Sequence, residues 1–134
     1  MKYIFSALIV ALFTTSPLTA QAETYVEFKP GVIRAALENG ETVVVDYSAD
    51  WCVTCRVQQR VVNLLRADNA AYDSKLTFVT VDWDMYARHD VTTDRRIPRR
   101  STLIVLRGDE ELGRVVAGTS REQIQALLDT GLAK

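Results

Sequence analysis

The sequence has few residues that bind metals or form disulfides: its 134 residues include one histidine and two cysteines. A closed zinc site needs four ligands, most often cysteine and histidine side chains. The single histidine, His89, has no histidine or cysteine partner at the spacing of a metal site. We therefore expect no resident metal and no cofactor. Capture of copper(I) by the two cysteine thiolates is the one metal chemistry that stays open.

An excess of charge of one sign is also lacking. Lys and Arg number 16 and Asp and Glu number 17, so the chain carries almost no net charge. A protein without a basic excess is a poor general ligand for nucleic acids or anionic membranes. Internal repeats and low-complexity segments are missing from the sequence too, and its length suits a single domain.

The sequence contains no long hydrophobic run. The apolar stretch at residues 3–13 is well short of the roughly 20 residues that cross a bilayer as a helix. It follows a positively charged start and precedes Ala20 and Ala22, small residues at the spacing that a signal peptidase cleaves. We expect residues 1–22 to be a signal peptide and residues 23–134 to be one exported domain. An uncleaved membrane anchor is the alternative.

Apolar patterning predicts a fold in which strands and helices alternate. Residues 42–47 form an uninterrupted β-branched run, as expected of a strand buried on both faces. The patterning also predicts strands at residues 25–28, 76–82, 102–107 and 112–116, and helices at residues 30–40, 53–67 and 121–129. A tight Gly-Asp turn joins the last two strands as a hairpin. This order predicts an α/β fold with a central mixed β-sheet flanked by helices on both faces.

Two other segments carry weaker patterns. Residues 85–96 are polar and are predicted to form a short helix and a loop, and residues 68–74 are predicted only as a polar connection. In the helix predicted at residues 53–67, the apolar positions at helical spacing are Val57, Val61, Leu64 and Leu65.

The two cysteines, Cys52 and Cys55, lie where the strand at residues 42–47 gives way to the next helix. As a structural staple this pair is weak, because a bridge across two residues closes a very short loop. At a helix N-terminus, unpaired backbone N–H groups stabilise the Cys52 thiolate and lower its pKa. Cys55 lies one turn further on, on the same side but deeper. Disulfide exchange requires such a pair: Cys52 attacks, and Cys55 resolves the mixed disulfide.

The stretch VVVDYSADWCVTCR, at residues 43–56, resembles the active-site segment of the thioredoxin family. In that family a hydrophobic strand, an aspartate, an aromatic residue and Trp-Cys-x-x-Cys follow in the same order. KLTFVTVDWD resembles the family's third strand, RRIP its cis-proline segment, and VVAGTSREQIQALLD its last strand and helix. The resemblance covers nearly all of residues 25–132 and implies a thioredoxin-like fold. Within the superfamily, ADWCVTC is most similar to periplasmic reductases, including the C-terminal domain of DsbD-type transmembrane reductases.

The resemblance implies roles for four further residues. Asp46 matches a buried aspartate that accepts the proton of the resolving cysteine. A carboxylate at the end of a buried strand should also have a raised pKa, which suits proton transfer. Trp51 matches a tryptophan packed beside the thiols. Pro98 matches a cis-proline that faces the disulfide and presents the backbone of Ile97 to an extended substrate segment.

Three departures from the family pattern lie close to the predicted site. Val53-Thr54 replaces Gly-Pro between the cysteines, and Thr80 replaces a lysine that lies near the buried aspartate. Arg99-Arg100-Ser101 is inserted between Pro98 and the following strand. The insertion completes a cluster that either lies in a solvated loop or favours the thiolate and steers an acidic partner; its members are Arg95, Arg96, Arg99 and Arg100.

Together these features predict an exported, periplasmic thiol–disulfide oxidoreductase that reduces protein disulfides. No histidine lies between the cysteines, so the pair should be less oxidising than DsbA-type oxidants and nearer to thioredoxin. A reductase in that compartment needs an electron donor, and we expect a membrane thiol reductase. A monomer is the expected state. The alternative is a binding module that holds copper(I), or captures a partner covalently, without turnover.

Overall fold

The structure, a computed structural model, describes residues 25–134, so the expected signal peptide at residues 1–22 lies outside the described residues. The elements in chain order are β1 (Val26–Glu27), α1 (Val32–Glu38), β2 (Thr42–Ser48), α2 (Val53–Asp68), α3 (Ala71–Lys75), β3 (Leu76–Asp82), α4 (Trp83–Tyr86), α5 (Asp90–Thr93), β4 (Thr102–Arg107), β5 (Glu110–Val116) and α6 (Arg121–Leu132). No helix within residues 25–134 combines the length and apolarity needed to cross a membrane.

The long apolar strands form where the sequence predicts them, whereas two helices, α3 and α6, depart from the prediction. Strand β3 has the predicted bounds, and β2 is one residue longer than predicted and buried throughout. Helix α3 was not predicted, because five residues with one buried side chain give no readable period. Helix α6 runs past its predicted end and contains Gly131, which is buried against the sheet.

The five strands form one mixed sheet in the order β1-β3-β2-β4-β5, which confirms the predicted central mixed sheet. Strands β1 and β2 each pair in parallel with β3, while β4 pairs antiparallel with β2 and β5 antiparallel with β4. Strand β2 therefore lies in the middle of the sheet. Its carboxyl end, where a loop leads directly into α2, is the position at which open α/β sheets carry their sites.

Helices cover both faces of this sheet, as predicted. On one face, α1 and α5 pack against alternate residues of β2, including Val45 and Tyr47. On the other face, α2, α3 and α6 pack against Val44 and its neighbours on β3 and β4. Because side chains alternate along a strand, Asp46 points to the same face as Val44, beneath α2.

The buried face of α2 differs from the one that its apolar residues suggest. Leu64 is 53% exposed, whereas Gln58 is fully buried. The helix buries a set of residues that share one side: Cys55, Gln58, Val62, Leu65 and Arg66. Both polar members have partners, since Gln58 donates to main-chain carbonyls and Arg66 pairs with Asp73. This rotation of the helix turns Cys55 toward the sheet.

Candidate active site

The dithiol site lies at the N-terminus of α2, where Cys52 is the N-cap residue. The Cys55 backbone N–H donates to Cys52 Sγ at 3.2 Å. The two cysteines are joined as a disulfide, with Cα atoms 5.3 Å apart. Cys52 is 4% exposed and Cys55 is completely buried. Both cysteines are therefore buried, and Cys52 is the more exposed of the two.

Asp46 lies on β2, fully buried, with one polar neighbour on α2. Gln59 Nε2 donates to Asp46 Oδ2 at 2.9 Å, while Asp46 Oδ1 has no hydrogen-bond partner. Burial raises the pKa of Asp46 to about 7, and the Gln59 hydrogen bond lowers it by a smaller amount. A carboxyl group with this pKa exchanges its proton readily near neutral pH, as proton transfer requires.

Thr80 does not replace the family's lysine in a functional sense, because it bonds the backbone. Its hydroxyl lies 3.4 Å from the main-chain carbonyl oxygen of Asp46. Thr80 therefore places no positive charge beside the Asp46 carboxylate. Gln59 takes over the contact with the carboxylate, and the sequence pattern did not single it out. Gln59 also lines a cleft of about 480 Å³ beside Ser48 and Asp82. Its amide thus connects the buried carboxyl to a polar opening on the surface.

Ser101 places its hydroxyl group in contact with both sulfurs of the disulfide. Its Oγ lies 3.1 Å from Cys52 Sγ and 3.1 Å from Cys55 Sγ, and the residue is completely buried. The sequence pattern predicts Ser101 only as the last residue of the insertion, with no role in the site. The available signal was its position immediately before β4, whose first residue pairs with Tyr47 near the end of β2.

The predicted cis bond at Pro98 is wrong, because none of the peptide bonds described is cis. Pro98 is exposed, three residues before the position that faces the sulfurs. Ile97 is buried in the core on the α1 face, and its N–H donates to the Thr92 carbonyl at 3.0 Å. The Ile97 N–H is therefore occupied and does not serve a substrate strand. Arg99 and Arg100 lengthen the loop before Ser101, which displaces the proline.

Two tryptophans flank the disulfide in different ways. Trp51 is 55% exposed, so it lies at the rim instead of packing beside the thiols as expected. Its Nε1 donates to Asp84 Oδ2 at 2.9 Å, and the Arg100 guanidinium lies 4.2 Å from the centre of its ring. Trp83 is the tryptophan that packs against the cluster formed by Ala49 and the two cysteines.

The arginine cluster does not act as one surface. Of its four members, Arg100 is the one with a contact at the site, through the Trp51 ring. Arg95 lines a different cleft, on the α1 face of the sheet. Arg114 of β5 donates to the carbonyl oxygens of Arg95 and Arg96, which anchors this part of the loop to β5.

No group of three or more His, Cys, Asp or Glu side chains within residues 25–134 is arranged to hold a metal ion. The site itself contains a dithiol, a hydroxyl group and a buried carboxyl group. A redox-active Cys-x-x-Cys pair at a helix N-terminus on this α/β sheet defines a thiol–disulfide oxidoreductase.

Comparison with known proteins narrows the class to one family: residues 24–130 match the thioredoxin family. Thioredoxin H2-1 of Oryza sativa subsp. japonica is 31% identical over 88 residues, which cover 66% of this chain and 59% of that protein. A thioredoxin of Echinococcus granulosus is 31% identical over 97 residues, which cover 70% of this chain and 85% of that protein. The chain belongs to the thioredoxin family.

A solved structure agrees with this assignment. Trxlp from Edwardsiella tarda EIB202 superposes with a TM-score of 0.65 at 30% identity, covering 76% of this chain and 97% of that one. These similarities establish the family and the fold of this chain. The narrower similarity to DsbD-type reductases stays a prediction.

Proposed function

We propose that this protein is an exported reductase of protein disulfides. The observation that carries the proposal is the placement of the dithiol: Cys52 caps α2 and is the more exposed of the two cysteines, and Cys55 lies one turn further along the helix and is completely buried. A thiolate at the N-cap is stabilised by backbone N–H groups, whereas its partner is shielded until a mixed disulfide brings it into play.

The reaction follows from these positions. The Cys52 thiolate attacks one sulfur of the substrate disulfide, forming a mixed disulfide and releasing the other substrate sulfur as a thiolate. Asp46 accepts the proton of Cys55, directly or through an intervening water. The Cys55 thiolate then attacks Cys52 Sγ, which breaks the mixed disulfide and releases the second substrate thiolate. Two electrons pass to the substrate, and the Cys52–Cys55 disulfide forms.

The reducing direction is supported by what lies between the cysteines. Val53 is exposed there and Thr54 offers only a hydroxyl, so no imidazolium stabilises the Cys52 thiolate. A less stabilised thiolate makes the disulfide harder to reduce, and a dithiol of that kind is the better reductant.

The partners follow from the surface around Cys52. Trp51 and Val53 are large exposed side chains that adjoin Cys52 in sequence, and Met85 is exposed next to Asp84, which accepts from the Trp51 indole. Arg100 adds a positive charge over this indole. We propose a protein substrate that brings an apolar segment and an acidic side chain to this surface, with exposed Pro98 at its edge. In the periplasm a membrane thiol reductase would return the electrons, and the chain would act as a monomer.

The test is the reduction potential of the Cys52–Cys55 pair in residues 23–134, measured by equilibration with glutathione. Trp83 packs against the disulfide, so tryptophan fluorescence reports its state. A potential near the roughly −270 mV of thioredoxin supports a reductase, and one near the roughly −120 mV of strong oxidants overturns that direction. For export, the expected result is a periplasmic product whose N-terminus is Glu23.

Copper(I) capture by the two thiolates is separated from redox turnover by Asp46→Asn. This change should slow reduction of a protein disulfide sharply, because Cys55 loses its proton acceptor, and should leave copper affinity nearly unchanged. An Asp46→Asn protein with wild-type exchange kinetics would remove Asp46 from the mechanism. A protein that binds copper(I) but never turns over a disulfide would favour the binding module.

A further inference from the structure

Ser101 is held against the disulfide by three parts of the fold. Its N–H donates to the Tyr47 carbonyl of β2 at 2.8 Å, and its carbonyl accepts from the Ala117 N–H at 2.7 Å. The same carbonyl accepts from Gln58 Nε2 of α2 at 3.1 Å. The backbone of Ser101 is therefore fixed, and the 3.1 Å distances from its Oγ to the two sulfurs do not depend on a mobile loop.

The backbone conformation at this position would suit glycine better than serine. Ser101 has a φ of 59°, in the left-handed region that a side chain makes unfavourable. A glycine would adopt it without strain. The hydroxyl that distinguishes serine from glycine contacts both sulfurs. Strain at such a residue indicates that the hydroxyl has a function in the site.

The hydroxyl can serve either sulfur but donates to only one at a time. It carries one hydrogen and two lone pairs, so it can donate to one sulfur while accepting from the thiol of the other. In the reduced protein this gives the order Cys55 S–H to Ser101 Oγ and Ser101 O–H to the Cys52 thiolate. When Cys55 has lost its proton, the same hydrogen can turn to the Cys55 thiolate. A hydrogen bond to a charged acceptor is stronger than one to a neutral sulfur.

Building on the proposed reductase function, we propose that Ser101 is a catalytic residue of the dithiol, whose hydroxyl donates its hydrogen bond to whichever sulfur carries the negative charge. Ser101 keeps its own proton throughout. Electrons pass from the Cys52 thiolate to the substrate disulfide, and the Cys55 proton leaves to Asp46. The hydroxyl stabilises the reduced, charged form of the pair, and so makes the pair more oxidising and Cys52 more reactive at neutral pH.

The test compares Ser101→Gly with wild type, since glycine removes the hydroxyl and fits the backbone. Loss of a hydrogen bond to a thiolate should reduce the stability of the reduced form about tenfold. In equilibrium with glutathione this is a potential about 30 mV more negative. The pH midpoint of Cys52 alkylation by iodoacetamide should rise by about one unit, which is the same tenfold factor. The matched control is Thr102→Val, which removes the neighbouring buried hydroxyl, bonded to the Arg99 carbonyl.

An unchanged potential and an unchanged alkylation midpoint in Ser101→Gly would overturn the proposal. Ser101→Ala gives a second measurement with the Cβ retained. If neither variant folds, the infrared S–H stretch of Cys55 in reduced wild type decides. A band shifted to lower frequency supports donation to Ser101, and an unshifted band contradicts it. Failure of the reductase function itself is distinct, because it would appear in wild type, either as a potential near the roughly −120 mV of strong oxidants or as no redox equilibrium with glutathione at all.

Discussion

Replacement of Asp46 by asparagine should make the protein more stable, and by an amount that depends on pH. Asp46 is completely buried, and burial raises its pKa from 3.8 to about 7. Below pH 4 the carboxyl group is protonated in both the folded and the unfolded chain. Between about pH 4 and pH 7 the unfolded chain releases the proton and the folded chain retains it. The free energy of unfolding therefore falls as pH rises through this window.

The size of the effect follows from the two pKa values. One pKa unit corresponds to about 1.4 kcal/mol, so the full shift from 3.8 to about 7 is worth about 4 kcal/mol. Asparagine resembles the protonated carboxyl group at every pH. We expect the variant to exceed wild type by about 2 kcal/mol at pH 5 and by about 4 kcal/mol at pH 8.

Urea unfolding of the oxidised protein at pH 5 and pH 8 measures this difference. The matched control is Asp50→Asn, which removes one negative charge from an exposed position four residues away. A stability gain that is the same at both pH values would refute the reasoning, because it would show that Asp46 titrates alike in the folded and unfolded chains. A loss of stability would show that the Gln59 contact outweighs the burial of the charge.

Three further changes test other parts of the structure. Gly131→Ala should destabilise by about 1–3 kcal/mol in urea although alanine favours helices, since its Cβ would lie 2.8 Å from a leucine methyl of β3; a gain in stability would contradict this packing. Gln59→Leu removes the hydrogen bond that lowers the pKa of Asp46, so the exchange rate at pH 7 should fall about tenfold and its pH profile should move upward. Arg100→Gln should change the free energy of unfolding by less than about 1 kcal/mol and should lower the fluorescence anisotropy of Trp51, because the indole becomes more mobile. An unchanged anisotropy would show that the guanidinium does not hold the ring.

The parts of the fold that the sequence predicts are those with a strong local signal. Strand β2 is a run of β-branched residues, and its burial on both faces follows from that run. The cap of α6 is also readable, since Ser120 Oγ accepts from the Gln123 N–H. The buried face of α2 is not readable, because Gln58 and Arg66 are polar residues whose burial depends on partners supplied by distant segments.

The candidate site divides in the same way. The positions of Cys52, Cys55 and Asp46 can be predicted because they depend on a strand end and a helix start that adjoin in sequence. The place of Ser101 cannot, because it is set by pairing of β4 with β2 and by the length of the preceding loop. The family pattern predicts that Pro98 faces the disulfide. Arg99 and Arg100 follow it in the loop, and Ser101 is the residue that lies at the sulfurs.

Three locally unfavourable features lie in the candidate active site. Asp46 has a carboxyl group buried with one oxygen unpaired, Ser101 has a left-handed backbone, and Gln58 has a buried amide oxygen without a partner. A sequence selected only for stability would remove each of them at small cost to packing, because Asn, Gly and Leu are available at those positions. Their concentration in one part of the fold is therefore evidence for a functional site that is independent of any resemblance in sequence. By the same reasoning, the gain in stability and the loss of activity expected of Asp46→Asn are two consequences of one buried charge.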